Sequence, residues 1–318
     1  MSLAWVHLPE RGSARALEAI HWVGRVIGRP AGRLLLYPIA LYFLLTAQRP
    51  RRASRAFLRR ALQREPSVLD LFRHFHCFAA TILDRTFLLH GQVEKFDIRI
   101  HNGQLIGDQV RSGDGCILLG SHLGSFEALR VLGITERHFP LKVLMNVDHN
   151  PAITRFLNAL NPEIAATIIP IRGPGTLIAV KEWLDQGYLI GTLGDRVVAE
   201  ERATRCRFFG EEAGFPLGPF QVAAMVRCPV ILAFALYRGG NRYDVHFERL
   251  ADSIPAADRR RPDALGRWAQ HYADRLEAHA RSAPYNWFNF YDFWADNKDD
   301  TQASALARPL SATTSRQP

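Results

Sequence analysis

The four cysteines, Cys77, Cys116, Cys206 and Cys228, form no CxxC pair and lie far apart. That spacing argues against a zinc ribbon, a dithiol redox motif or a disulfide framework, and reads as buried, reduced thiols facing the cytoplasmic side. There is no internal repeat. No apolar run reaches the ~20 residues that cross a bilayer perpendicularly; the stretch from Leu34 to Ala47, LLLYPIALYFLLTA, stops at fourteen. Acidic residues are almost missing from residues 1–64, where only Glu10 and Glu18 oppose twelve arginines. The formal net charge of +9 therefore sits wholly on the N-terminal arm and leaves the rest of the chain near neutral. A basic surface for nucleic acid is not expected on a body of that kind.

What the sequence does contain is enough apolar residue, 47% of 318, to bury a full core. In the arm, Arg25, Arg29 and Arg33 recur every four residues and share a helical face, while Arg49, Arg51 and Arg52 follow the apolar run. Residues ~14–47 read as a membrane anchor, either an in-plane helix with a re-entrant hairpin or a short tilted span with snorkelling arginines. The arginines of 49–64 would then face anionic lipid on the cytoplasmic side. The alternative is an ordinary buried helix with a solvated basic face. Arginines rather than a small-residue cleavage site follow the run, which disfavours a removed signal peptide.

Two helices are expected next, SRAFLRRALQ and PSVLDLFRHFHCFAATILDRTFLL, the second with Pro66 in its early turn. From residue 97 the texture changes to short β-rich runs: IRIHN, CILLG, KVLMNV, ATIIPI, YLIGTLG, RCRFFG, VILAFALYR and YDVHFERL. Between several of them lie helical patterns, EALRVLGITERHF, PAITRFLNAL, GTLIAVKEWLDQG and PFQVAAMVRC, and a last helix PDALGRWAQHYADRLEAHARSAP. Strands alternating with helices predict an α/β fold with a mostly parallel central sheet flanked by helices. The expected division is an anchor and linker over 1–64, an α/β domain over 65–299, and a disordered tail over 300–318.

The stretch GSHLGSFEAL, residues 120–129, places His122 and Glu127 five positions apart directly after the run CILLG. In one continuous helix they would stand about 140° apart and could not meet. Gly120 and Gly124 supply the non-helical turn that would let them, and Ser125 is a candidate N-cap for a helix starting at Phe126. The pattern is similar to a nucleophile elbow with histidine where a serine would stand. A base with no nucleophile of its own suits activation of a substrate hydroxyl, with Glu127 orienting the ring. A surface histidine beside a capping glutamate is the plainer alternative. Metal binding is poorly served, for want of a second histidine at ligand spacing.

Strand, HxxxxE and helix behind a basic, apolar arm resemble the bacterial lipid A late acyltransferases of the wider glycerolipid acyltransferase superfamily. The segments IPIRGPGTLIAVKEWLDQGYLIGTLGDR and RCRFFGEEAGFPLGPFQVAAMVRCPVILAFALYR extend the resemblance over roughly residues 15–295. It implies His122 as general base and Glu127 as its partner, no cofactor, and acyl carrier protein thioester as co-substrate. It also implies a hydroxyl of a lipid or glycolipid as acceptor, at the cytoplasmic face of a bacterial inner membrane. An esterase or thioesterase using water, and a non-catalytic lipid-binding protein, are the competing functions. Backbone amides at the helix start would stabilise the oxyanion, and Ser121 and Gly124 are expected substrate contacts. Arg172 and the Asp195-Arg196 pair follow two candidate strands, where open parallel sheets place their sites, and the arginines suit a phosphate. The sequence departs from lipid A enzymes at GTLGDRV and in its aromatic segment PYNWFNFYDFW, residues 284–294, which reads as core packing or an acyl-contacting wall. In these features it is similar to the subgroup associated with aryl polyene pathways.

Overall fold

A computed structural model describes residues 28–129, 139–145, 166–171, 173, 175–197 and 202–294. Arg172, the two helical patterns at 130–138 and 151–160, the first 27 residues and the segment from 295 onward lie outside them.

Among the described residues a seven-stranded sheet is built from β1 (Asp97–His101), β2 (Cys116–Gly120), β3 (Leu141–Met145), β4 (Ile168–Pro170), β5 (Leu189–Leu193), β8 (Val230–Gly239) and β9 (Arg242–Ala251). Their order across the sheet is β1-β9-β8-β2-β5-β3-β4. All neighbours run parallel except β8 and β9, which form an antiparallel pair. Strand β2 is buried at all five positions, as a central strand covered on both faces must be. Alternate residues of β2 therefore enter two separate cores, Ile117 and Leu119 on one side, Cys116 and Leu118 on the other.

Helices cover both faces: α1 (Arg29–Thr46), α2 (Gln48–Leu62), α3 (Val68–Leu89), α4 (Gly103–Ser112), α5 (Gly175–Asp185), α6 (Gly218–Val226) and α7 (Pro262–Ser282). A separate hairpin, β6 (Ala203–Phe208) and β7 (Glu211–Pro216), packs against α7. The α/β expectation and all eight expected strands hold. Strand β7 and helix α4 were not expected: EEAGFP lacks an apolar alternation, and GQLIGDQVRS carries two glycines. Pro66 lies just before α3 rather than in its first turn. The helix opens at a capping box, in which the Asp70 amide donates to Ser67 Oγ and the Ser67 amide to the Asp70 carboxylate.

The arm reads differently in three dimensions. Leu36, Ala40, Leu44, Phe57 and Leu58 of α1 and α2 are buried in the same cores as the sheet, so the described part of residues 28–64 is built into the body. Arg29 and Arg33, expected to reach toward headgroups, turn inward. The Arg29 fork donates to the fully buried Asp84 carboxylate at 2.8 and 3.0 Å, Arg33 stands 3.8 Å from it, and the Tyr243 hydroxyl donates at 3.0 Å. Arg60 and Arg64 are likewise tied to Glu211 and Asp70.

No single described helix is long and apolar enough to cross a membrane; α1 and α2 pass such a test only as a pair bent by 97°. Helix α1 is apolar all round. It buries Gly32, Leu36, Ala40 and Leu44 but leaves Leu34, Leu35, Tyr37, Leu41, Tyr42 and Leu45 exposed, with Leu34 at 70%. Those six fall on one continuous arc of the helix. Arg29 meets Asp84 and Tyr37 meets Phe72 and His76, so α1 runs antiparallel to α3 and its Leu45 end approaches the exposed Val68 and Leu69.

Candidate active site

Parallel pairing of β2 with β5 sets Gly120 opposite Leu193. The residues two beyond each, His122 and Asp195, therefore leave the carboxyl ends of adjacent strands side by side, where open α/β sheets place their sites. The backbone just past β2 is shaped by Gly124, at φ +77°. A Cβ there would stand 1.8 Å from the Ala235 carbonyl oxygen, so no other residue fits. The Gly124 amide donates to the Asn286 carbonyl at 2.8 Å and the Ser125 amide to the Ala235 carbonyl at 2.9 Å. Ser125 Oγ accepts from the Ala128 amide, which makes it the expected N-cap of the helix that begins at Phe126.

The ring of His122 is held by Asp195, not by Glu127. His122 Nδ1 lies 2.8 Å from Asp195 Oδ1, and the His122 amide reaches both carboxylate oxygens at 3.0 and 3.1 Å. Trp287 Nε1 and Asn289 Nδ2 donate to Oδ2 at 2.9 and 3.0 Å. Asp195 is fully buried, and burial alone would push its pKa up. The hydrogen bonds and charge of His122, with the charge of Arg196, outweigh burial and hold it at about 2. An ionised carboxylate only accepts, so Nδ1 carries the proton and Nε2 is left as the basic nitrogen. Burial and the nearby Arg196 depress the His122 pKa against the opposing pull of Asp195 and Glu127. The histidine keeps 27% of its side-chain surface exposed.

The other expected site residues separate into groups. Arg196 stands beside the dyad but is committed to its wall: Nε donates to Asn289 Oδ1 at 2.7 Å and Nη2 to the Phe288 carbonyl at 3.1 Å. Arginine has only donors, so it fixes the Asn289 amide with its NH2 toward Asp195. Ser121 is buried, and its Oγ accepts from the Leu123 amide. The amides of Gly124 and Ser125 are already bonded, so these turn residues shape the elbow and are not free to hold an oxyanion. Glu127 is drawn to α3, where its Oε1 forms an ion pair with Arg85, 2.6 Å from Nη2. Arg172 lies outside the described residues.

Residues the sequence did not announce complete the site. The aromatic segment 284–294 is an inner wall: Trp287 is fully buried against Phe57, Phe208 and Phe293, and contributes both a donor to Asp195 and a carbonyl to His74. His74 is neutral, its pKa lowered by burial to about 4, and its other nitrogen pairs with Ser54 Oγ at 2.8 Å. A chain of contacts thus runs from α2 through α3 to the carboxylate's ligand. Under the helix after Ser125 lies an apolar cavity lined by Leu118, Phe126, Leu129, Leu141, Gly191 and Ala233, among others.

Among the described residues one group brings metal-capable atoms within 4.8 Å of one another, His101, Asp244 and His246, away from the dyad. The Asp244 oxygens there are taken by Arg238 and Arg242.

Over residues 62–295 the sequence matches the family described as bacterial lipid A biosynthesis acyltransferase. The chain belongs to that family. It is therefore an acyltransferase, with an acyl donor and a lipid acceptor implied by the family. No curated protein matches it. At the carboxyl ends of the central strands the described residues thus place a histidine, part of its surface open, on a buried carboxylate.

Proposed function

We propose that the protein is a membrane-surface O-acyltransferase that moves an acyl chain from acyl carrier protein thioester to a hydroxyl of a lipid or glycolipid. The observation that carries this reading is the His122–Asp195 pair, which fixes the tautomer of the base and in which, among the described residues, no nucleophilic side chain bonds the ring. His122 Nε2 takes the proton as the acceptor oxygen attacks the thioester carbonyl. The C–O bond forms, the C–S bond breaks, and the proton passes from His122 to the departing thiolate. Arg172, two residues past the end of β4, remains the proposed phosphate contact for the donor's phosphopantetheine arm.

Membrane association is part of the proposal, at the cytoplasmic face of the inner membrane. The exposed arc of α1 is supported as a lipid-inserting face by Val68 and Leu69 beside it and by Arg49, Arg52, Arg55 and Arg59, all exposed on α2. Replacing Leu34, Leu41 and Leu45 together by Gln should lower binding to vesicles containing anionic phosphatidylglycerol at least ~10-fold, since each leucine loses roughly 1–2 kcal/mol of burial. Thermal stability should hardly change, because all three are exposed in the folded chain. Unchanged cosedimentation would remove α1 from the membrane contact.

The test of the reaction is incubation of the protein with acyl carrier protein thioester, or with the coenzyme A thioester, with and without lipids extracted from bacterial inner membranes. An acyl ester formed only with lipid present is the expected product. Its mass identifies the acceptor and decides whether a polyene-bearing lipid is among those used. Thioester hydrolysis as the only turnover would replace the reading with a thioesterase.

A further inference from the structure

Two buried donors meet the outer oxygen of the Asp195 carboxylate. Trp287 Nε1 and Asn289 Nδ2 reach Oδ2 at 2.9 and 3.0 Å, while Oδ1 serves His122 Nδ1. An indole has one hydrogen bond to give, and the fully buried Trp287 gives it to the carboxylate. Trp287 is in turn held from behind by His74 of α3, which is also fully buried. His74 Nε2 meets the Trp287 carbonyl at 2.9 Å and Nδ1 meets Ser54 Oγ at 2.8 Å. A carbonyl only accepts, so Nε2 carries the His74 proton and Nδ1 accepts from the Ser54 hydroxyl. On its other side Trp287 bridges to Leu123, and the Phe288 amide donates to the His122 carbonyl at 2.8 Å. The base and the donor to its carboxylate are thus tied together along the backbone.

We propose that Trp287 is a positioning residue of the transferase: its indole N–H holds the Asp195 carboxylate against His122 Nδ1 and tempers the charge that the ring feels, while His74 holds Trp287 in place for that bond. The inference rests on the reading of His122 as the base. A hydrogen bond to Oδ2 draws negative charge away from the carboxylate. Without it Asp195 acts more strongly on the imidazole, the imidazolium is favoured and the His122 pKa rises. The neutral ring is the working base, so activity is then lost at a higher pH on acidification. Removing the Asp195 charge itself has the opposite sign. The other charges on the ring stay as they are, Arg196 lowering and Glu127 raising the His122 pKa. Asp195 also faces Arg196 and, from α7, Tyr272. His74 is surrounded by Ser54, Trp287 and the rings of Phe57, Phe288 and Phe290, none of them charged.

The experiment measures pH profiles of kcat/KM for variants of the full-length protein, with acyl carrier protein thioester as donor and extracted inner-membrane lipid as acceptor. Trp287→Phe keeps an aromatic ring beside Phe57, Phe208 and Phe293 but has no N–H to give. Its kcat should fall ~10–100-fold, the scale of a slightly misplaced catalytic group, with little change in KM for the thioester. Its acid limb should move to higher pH. Phe293→Leu disturbs the same indole, 4.8 Å away between ring centroids, without touching the carboxylate. It should lower the melting temperature and leave the limb in place. His74→Gln keeps a donor for the Trp287 carbonyl and should retain most of the activity. His74→Phe has no donor and should move the limb in the same direction as Trp287→Phe; this pair decides the matter if Trp287→Phe does not fold. A limb that stays in place in Trp287→Phe, or that Phe293→Leu moves as far, overturns the positioning role. So does a His74→Phe protein that behaves like His74→Gln. A wild type that only hydrolyses the thioester overturns the transferase reading instead, and the acid limb of that hydrolysis still reports the ring.

Discussion

Asp195→Asn should lower the rate of acyl transfer by about 10³–10⁴-fold, the scale seen when the carboxylate that fixes a catalytic histidine is neutralised. Asp195 accepts from the His122 amide, His122 Nδ1, Trp287 and Asn289. Asparagine has one acceptor oxygen and would turn its NH2 toward at least one of these donors. The histidine is then driven to carry its proton on Nε2, where the lone pair is needed. Losing the negative charge also removes the contribution that raises the His122 pKa, so the acid limb of any residual activity moves to lower pH. Glu127→Gln should cost far less, since Asp195 holds the ring and Glu127 acts on it only through its charge. Steady-state rates for the two variants, with melting temperatures as a folding control, check the contrast. Equal losses, or the larger loss at Glu127, would contradict the assignment of Asp195.

The second large effect lies in the backbone. Gly124→Ala should cost about 4 kcal/mol or more and yield little folded protein, because the new Cβ would overlap the Ala235 carbonyl oxygen at 1.8 Å in a left-handed conformation. Relief requires breaking the bonds from the Gly124 and Ser125 amides to Asn286 and Ala235, which join the elbow to β8 and to the aromatic wall. Ser125→Ala, which removes only the cap, should cost about 1 kcal/mol. Thermal unfolding of the two purified variants measures both. A Gly124→Ala protein as stable as the wild type would mean that the elbow is not built as described.

The elbow was legible because its information is local. Glycines at 120 and 124, a capping serine at 125 and a preceding apolar run are enough to specify strand, turn and helix. The partner of His122 was not legible, because it depends on which strand lies beside β2. Asp195 is 73 residues away and meets the histidine only through the Gly120–Leu193 register. HxxxxE drew attention to Glu127 by proximity in sequence, yet the first helical turn carries that side chain to Arg85, an α3 residue with no motif around it. Arginines read as a lipid-facing set divide in the same way. Arg29 and Arg33 are neutralised inside by Asp84, 55 and 51 positions on, while Arg49, Arg52, Arg55 and Arg59 stay outside. The aromatic segment was read as packing, which Trp287 bears out, but nothing local revealed that its indole and Asn289 would hold the Asp195 carboxylate.

The central claim is that His122 is the base that activates the acceptor hydroxyl. It is tested most directly by ester formation from acyl carrier protein thioester and extracted membrane lipid, measured for wild type and His122→Ala side by side with vesicle binding of each. The expected result is a loss of at least ~10² in ester formation with vesicle binding unchanged. Ester formation at the wild-type rate by His122→Ala would contradict it.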